Sequence, residues 1–125
     1  MSERNVRSTA DVIDDHIACR LANDIDGDLA RNYSDQVVIL TSDGARYGED
    51  GIRHLHDRLR RTVPSDYSIV SRLTHGPYGF ITWRAREPGK SVEDGADSFV
   101  VEAGRIVFQS IHYSVQQVMP PGSSE

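Results

Sequence analysis

The chain holds 125 residues, with 14 lysines and arginines against 19 aspartates and glutamates, a formal net charge of −5. That length allows one domain and little else. The acidic balance gives no support to polyanion binding, so nucleic acid is not an expected partner. The longest apolar run, Val37-Val38-Ile39-Leu40, is far too short to span a bilayer. The polar start at residues 1–5 has no signal region, and the single Cys19 can form neither an internal disulfide nor a cysteine-rich zinc site. The expectation is a cytoplasmic protein that touches no membrane. It forms one domain over residues 1–125, with an ordered core of about 8–117 and a flexible tail at 119–125.

The first helix is expected to start at Ser8, which has Asp11 three residues on as a capping-box partner. Ala10, Ile13, Ile17, Leu21 and Ile25 recur at helical spacing, and Asp26-Gly27-Asp28 reads as the break. A second, short helix is expected over Leu29-Ala30-Arg31-Asn32-Tyr33. Val37-Val38-Ile39-Leu40 reads as a strand, closed by a turn at Ser42-Asp43-Gly44. A third helix runs from about Glu49, with Ile52, Leu55, His56 and Leu59 on one face, and Pro64 stops it. From there the period switches to two. Strands are expected around residues 67–74, 80–86, 92–101 and 105–115, with turns at His75-Gly76-Pro77, Glu87-Pro88-Gly89-Lys90 and Glu102-Ala103-Gly104. Helices first and an antiparallel meander afterwards make an α+β pattern, with helices on one face of a curved sheet.

The last strand is apolar on both faces. One carries Val107, Gln109, Ile111 and Tyr113, and the other carries Ile106, Phe108, Ser110 and His112. Helices can cover only one of them. A second copy of the chain is expected on the other, with Ile106, Phe108 and His112 at a homodimer interface.

Three stretches carry a family likeness. They are Asp26-Gly27-Asp28-Leu29 with Tyr33-Ser34-Asp35, then Tyr47-Gly48-Glu49-Asp50-Gly51-Ile52, then Asp97-Ser98-Phe99-Val100-Val101-Glu102-Ala103-Gly104-Arg105-Ile106. Their order and spacing resemble the nuclear transport factor 2-like superfamily, and within it the SnoaL-like and ketosteroid-isomerase-like branch. The resemblance implies a cone-shaped, cystatin-like α+β fold, in which a curved, mainly antiparallel sheet wraps around N-terminal helices. It also implies a pocket at the open end and frequent dimerisation through the outer sheet face. Function has to be read residue by residue, because this fold hosts many activities.

In ketosteroid isomerases the general base is an aspartate ending the first strand. That position falls here at about Thr41, which cannot remove a carbon-bound proton, and the oxyanion-hole tyrosine of the first helix falls at about Ile17. Ketosteroid isomerase activity is therefore not expected. The aspartate that donates to the oxyanion matches Asp97. Tyr33 matches a pocket tyrosine, and His56 falls where a further one stands.

Asp97 is also the strongest candidate without the family. It shares a strand face with Phe99 and Val101, so its carboxylate points at the core, where it must find a donor or rise in pKa. The plain alternative is a carboxylate capping loop amides near Asp94-Gly95. His56 sits on the inward stripe of the third helix, either as a catalytic imidazole or as a satisfied structural one. His54 and His56 are no metal pair, since residues two apart on a helix diverge by about 200°. Asp14 and His16 lie on or beside the inner arc of the first helix and are kept as pocket candidates, against the reading of Asp14 as an exposed group near the helix start. With Ile17 they join Trp83, Phe99, Gln109, Ile111 and Tyr113 as expected substrate contacts, a mixture suited to a flat, mostly apolar ligand. Plain core is the alternative for Phe99 and Ile111.

Together these residues lead to a SnoaL-like enzyme of cyclase, isomerase or dehydratase type. It would use acid–base chemistry, with neither cofactor nor metal, on a hydrophobic cyclic or polyketide-like molecule. Asp97 would be the main acid or base, with His56 and Tyr33 polarising or relaying protons. The alternative is a non-catalytic small-ligand-binding or assembly domain of the same fold.

Overall fold

A computed structural model describes residues 6–118, so the expected tail lies outside the described residues. Helix α1 (Thr9–Ala22) opens on a complete capping box: the Ser8 hydroxyl accepts from the Asp11 amide and the Asp11 carboxylate accepts from the Ser8 amide. It ends at Asn23, in the left-handed region at φ 58°. Helix α2 (Ile25–Arg31) starts at once, capped by the Asp24 carboxylate accepting from the Gly27 amide at 2.9 Å. A Cβ on Gly27 would sit 2.3 Å from that carboxylate, so this cap needs a glycine.

The break between the helices is therefore Asn23-Asp24. Asp26-Gly27-Asp28 lies inside α2 instead of interrupting the chain. The buried stripe of α1 also differs from expectation. It is Val12, Ile13, His16, Ile17 and Cys19, whereas Ala10 and Leu21 are exposed.

Strands β1 (Tyr33–Thr41) and β2 (Gly44–Tyr47) form a hairpin on which helix α3 (Gly48–Thr62) packs. Strands β3 (Asp66–His75), β4 (Tyr78–Glu87), β5 (Lys90–Glu102) and β6 (Arg105–His112) make the meander, and the short β7 (Gln116–Gln117) pairs with β5. The sheet order is β2-β1-β6-β5-β4-β3. Every pairing is antiparallel except β1 with β6. Register shifts interrupt four of these pairings, and bulges of this kind bend and twist a sheet. The helices fill the concave side, giving the expected α+β architecture of a curved, mainly antiparallel sheet around N-terminal helices.

One bulge corrects the reading of β6. Val101 pairs with Ile106 but Val100 pairs with Phe108, so Val107 is the extra residue and the face alternation slips there. Ile106 consequently points into the core at 0% exposure and cannot meet a partner, while Phe108 and His112 stay on the outer face.

Candidate active site

Four neighbouring strands bring one polar chain to the floor of the cone. On β5, Asp97 accepts from Trp83 Nε1 of β4 at 2.7 Å through Oδ1, and from Gln109 Nε2 of β6 at 2.8 Å through Oδ2. Gln109 in turn accepts at Oε1 from the Tyr33 hydroxyl at the start of β1. A carboxylate only accepts, so it fixes the amide orientation of Gln109 and thereby the direction in which Tyr33 donates. Asp97 is buried, and burial pushes its carboxyl above the ordinary aspartate value despite the two donors.

The helices supply the opposite wall. His16 of α1 is buried, with Nδ1 2.8 Å from Asp28 Oδ2 of α2. The other Asp28 oxygen accepts from Asn32 Nδ2 at 2.9 Å. Burial pulls the imidazole pKa down, but the Asp28 charge and hydrogen bond outweigh it, so His16 stands above the usual histidine value. Its ring meets Tyr33 and Phe99 edge-on, at 5.7 and 5.3 Å between centroids. Nε2 has no hydrogen-bond partner among the described residues. A carboxylate that engages one ring nitrogen and leaves the other open is the usual way to orient a proton-transfer histidine.

Between these walls lies a narrow cleft open to solvent, with an interior volume of about 40 Å³ inside a total empty space of about 440 Å³ that includes its mouth. Asp97, Tyr33, Trp83, Gln109, Ile111, His16 and His56 all line it. His56 is half-buried, and desolvation together with the nearby Arg20 and Arg60 charges holds it below the ordinary histidine value.

The remaining sequence candidates lie elsewhere. Asp14 is exposed and paired with Arg72 at 2.5 Å, because its position on α1 turns it towards β3. Ile17 and Phe99 are core residues that do not reach the cavity wall. Tyr113 does not line the cavity; its ring lies tilted at 46° to that of Trp83, 5.7 Å between centroids, and its hydroxyl bonds Thr62 at 2.6 Å.

Seven lining residues were not among the site candidates read from sequence: the apolar Ile25, Ile52, Leu55 and Leu59, and the polar Arg20, Asp28 and Tyr67. Asp24 four residues before Asp28 was the available signal, since an N-cap there turns Asp28 onto the inner face of a helix. Among the described residues no group of three or more histidine, cysteine, aspartate or glutamate side chains is placed to hold a metal ion. No helix among them is long and apolar enough to cross a membrane.

Neither a family model nor a curated protein matches the sequence. Solved structures do. An NTF2-like (nuclear transport factor 2-like) protein of unknown function from Mesorhizobium loti superposes with a TM-score of 0.71 at 17% identity, over 91% of this chain and 97% of that one. The chain has the nuclear transport factor 2-like fold. A candidate polyketide cyclase from Sinorhizobium meliloti, also 17% identical, matches at 0.66 over 82% of this chain and 94% of its own. A de novo designed protein with a curved β-sheet matches at 0.70 and 12% identity, over 82% of each chain. A nuclear transport factor 2-like fold at such identities carries the architecture, and the chemistry must come from the cavity itself.

Proposed function

We propose that this nuclear transport factor 2-like chain is a small-molecule enzyme using cofactor-free acid–base chemistry on a mostly apolar cyclic substrate. The cyclase, isomerase or dehydratase classes share the needed step, removal of a proton beside a carbonyl and its return elsewhere. The observation that carries this reading is the pairing of two perturbed groups on one cavity: His16 held by Asp28, and Asp97 buried on the opposite wall. His16 would take or give a proton at Nε2. Asp97 would serve as the second acid or base, held by Trp83, Gln109 and Tyr33, while His56 stands at the wall beside α3. The likeness to a candidate polyketide cyclase supports the substrate class.

Proton exchange tests this without the natural substrate. Fused-ring ketones incubated with the protein in heavy water should gain deuterium at the carbonyl-adjacent carbon faster than in buffer. His16→Asn and Asp97→Asn should each slow this by about 100-fold or more. No acceleration by the parent protein across the panel, or full rates in both folded variants, would contradict the enzymatic reading. One observation favours non-catalytic ligand binding instead: both Asp97 oxygens already hold a hydrogen bond. That reading expects ligand retention without exchange.

We also infer a homodimer through the outer sheet face. Leu40, Leu73, Tyr78 and Phe80 are exposed there beside the half-buried Phe108 and Val100, aligned by register across five strands. Light scattering should give twice the chain mass of 13.9 kDa. Phe108→Asp or Phe80→Asp should halve it, and a monomeric parent at micromolar concentration would overturn the inference.

A further inference from the structure

Arg20 stands in the last turn of α1 with its guanidinium carbon 4.8 Å from the centre of the Tyr67 ring. It lines the same cavity as His16, Asp97 and His56, and it is half-buried. Six of the twelve arginines among the described residues hold a carboxylate: Arg7 and Arg31 share Asp15, Arg53 holds Glu49 and Asp26, and Arg58, Arg72 and Arg86 hold Asp43, Asp14 and Glu93. Arg20 has no ion pair and no side-chain hydrogen bond among the described residues. Among the described residues it is the only arginine or lysine on the cavity wall.

The other charges in the cavity are accounted for. Asp28 is engaged by His16 and Asn32, and Asp97 by Trp83 and Gln109. His56 is held towards its neutral form, in part by Arg20 itself. That leaves one planar, unspent cation on an apolar wall of an acidic chain. Stacking on Tyr67 and the negative end of α1 favour a cation there, yet neither occupies the five N–H donors of a guanidinium. A half-desolvated fork of this kind is strongest when it grips a carboxylate with two parallel hydrogen bonds.

We propose that Arg20 binds an anionic oxygen group of the ligand, and that this cavity takes a flat ring compound bearing a carboxylate. The carboxylate lies against the Arg20–Tyr67 pair while the ring runs inward between Trp83, Leu55 and Ile111 towards His16 and Asp97. This deepens the enzymatic reading by naming the substrate class, and Arg20 becomes the residue that sets ligand charge preference and orientation.

Calorimetric titration of the full chain with 2-naphthoate and its neutral isostere 2-naphthamide tests it. The carboxylate should bind at least about tenfold tighter than the amide. Arg20→Gln should abolish that preference, and Arg20→Lys should keep part of it, because a charge without the fork retains only point attraction. Arg61→Gln, the same charge change on an exposed site of α3, should leave it intact. Circular dichroism of each variant separates lost recognition from lost folding. Equal affinity for the two probes, binding of neither at millimolar concentration, or an undiminished preference in folded Arg20→Gln would overturn the proposal. The heavy-water assay reads the chemistry separately. Charge preference without exchange removes the enzyme and keeps Arg20, whereas exchange with no charge preference does the reverse.

Discussion

Asp28→Ala lowers the stability of the protein by about 3–5 kcal/mol, the usual cost of removing one partner from a buried ion pair. The substitution leaves the buried His16 without its partner and takes from the Asn32 amide its carboxylate acceptor. Asp28→Asn keeps the shape and one accepting oxygen, and it exposes the sign of the electrostatics. In the parent, His16 is raised above the ordinary histidine value. The stability it contributes is therefore complete below about pH 6.5 and is lost as pH rises through the raised folded value. In Asp28→Asn the carboxylate is gone and burial dominates, so the His16 pKa falls and stability instead increases as pH rises towards about 6.5. Urea unfolding of both proteins between about pH 5.5 and 9 should give curves of opposite slope near neutrality. Parallel curves would show that the pair carries no charge in the folded protein.

Gly95→Ala should be nearly as damaging without touching any charge. Gly95 faces Trp83 across β4 and β5, and a Cβ there would sit 2.2 to 2.7 Å from three atoms of the indole. Trp83 is buried and tied to Asp97, so the ring cannot step aside without breaking the 2.7 Å bond. Overpacking costs about 1–3 kcal/mol, and orphaning a buried donor adds about 1–3 kcal/mol more. The melting temperature should fall by on the order of 10 °C. Adding Trp83→Leu should remove the clash, so the double variant should lose less than the sum of the two single losses. Strict additivity would mean the ring had simply moved.

The order of helices, strands and turns was readable because periodicity and Gly/Pro punctuation are local signals. The inward direction of Asp97 followed from its alternation with Phe99 and Val101. Two features were hidden for a shared reason, a shift of phase by one or two residues. Taking Asp26-Gly27-Asp28 as a break removed Asp28 from any helix face, so the partner of His16 was invisible, although the true stop is a left-handed Asn23. Likewise the bulge at Val107 turned Ile106 inward, and nothing in an apolar run marks which residue is the extra one. Arg20 escaped notice for a different reason. A lone arginine near a helix end reads as an ordinary dipole partner until the tertiary structure places it on the cavity wall with no ion pair among the described residues.

The parallel pairing of β1 with β6 has a consequence for how the chain is made. β1 ends at Thr41, but its parallel partner begins only at Arg105. At about 5–20 residues per second, a ribosome needs roughly 3–13 s to deliver the second after the first. During that interval α1, α2 and the first hairpin can form with α3, because their contacts are local, while the long loop still has to close. His16 and Asp28 belong to this early half; Trp83, Asp97 and Gln109 belong to the late one. No nascent intermediate therefore holds the complete cavity, and the His16–Asp28 wall faces water until the late strands dock. The single Trp83 reports assembly of the late strands, since its indole meets Asp97 only when β4 and β5 pair.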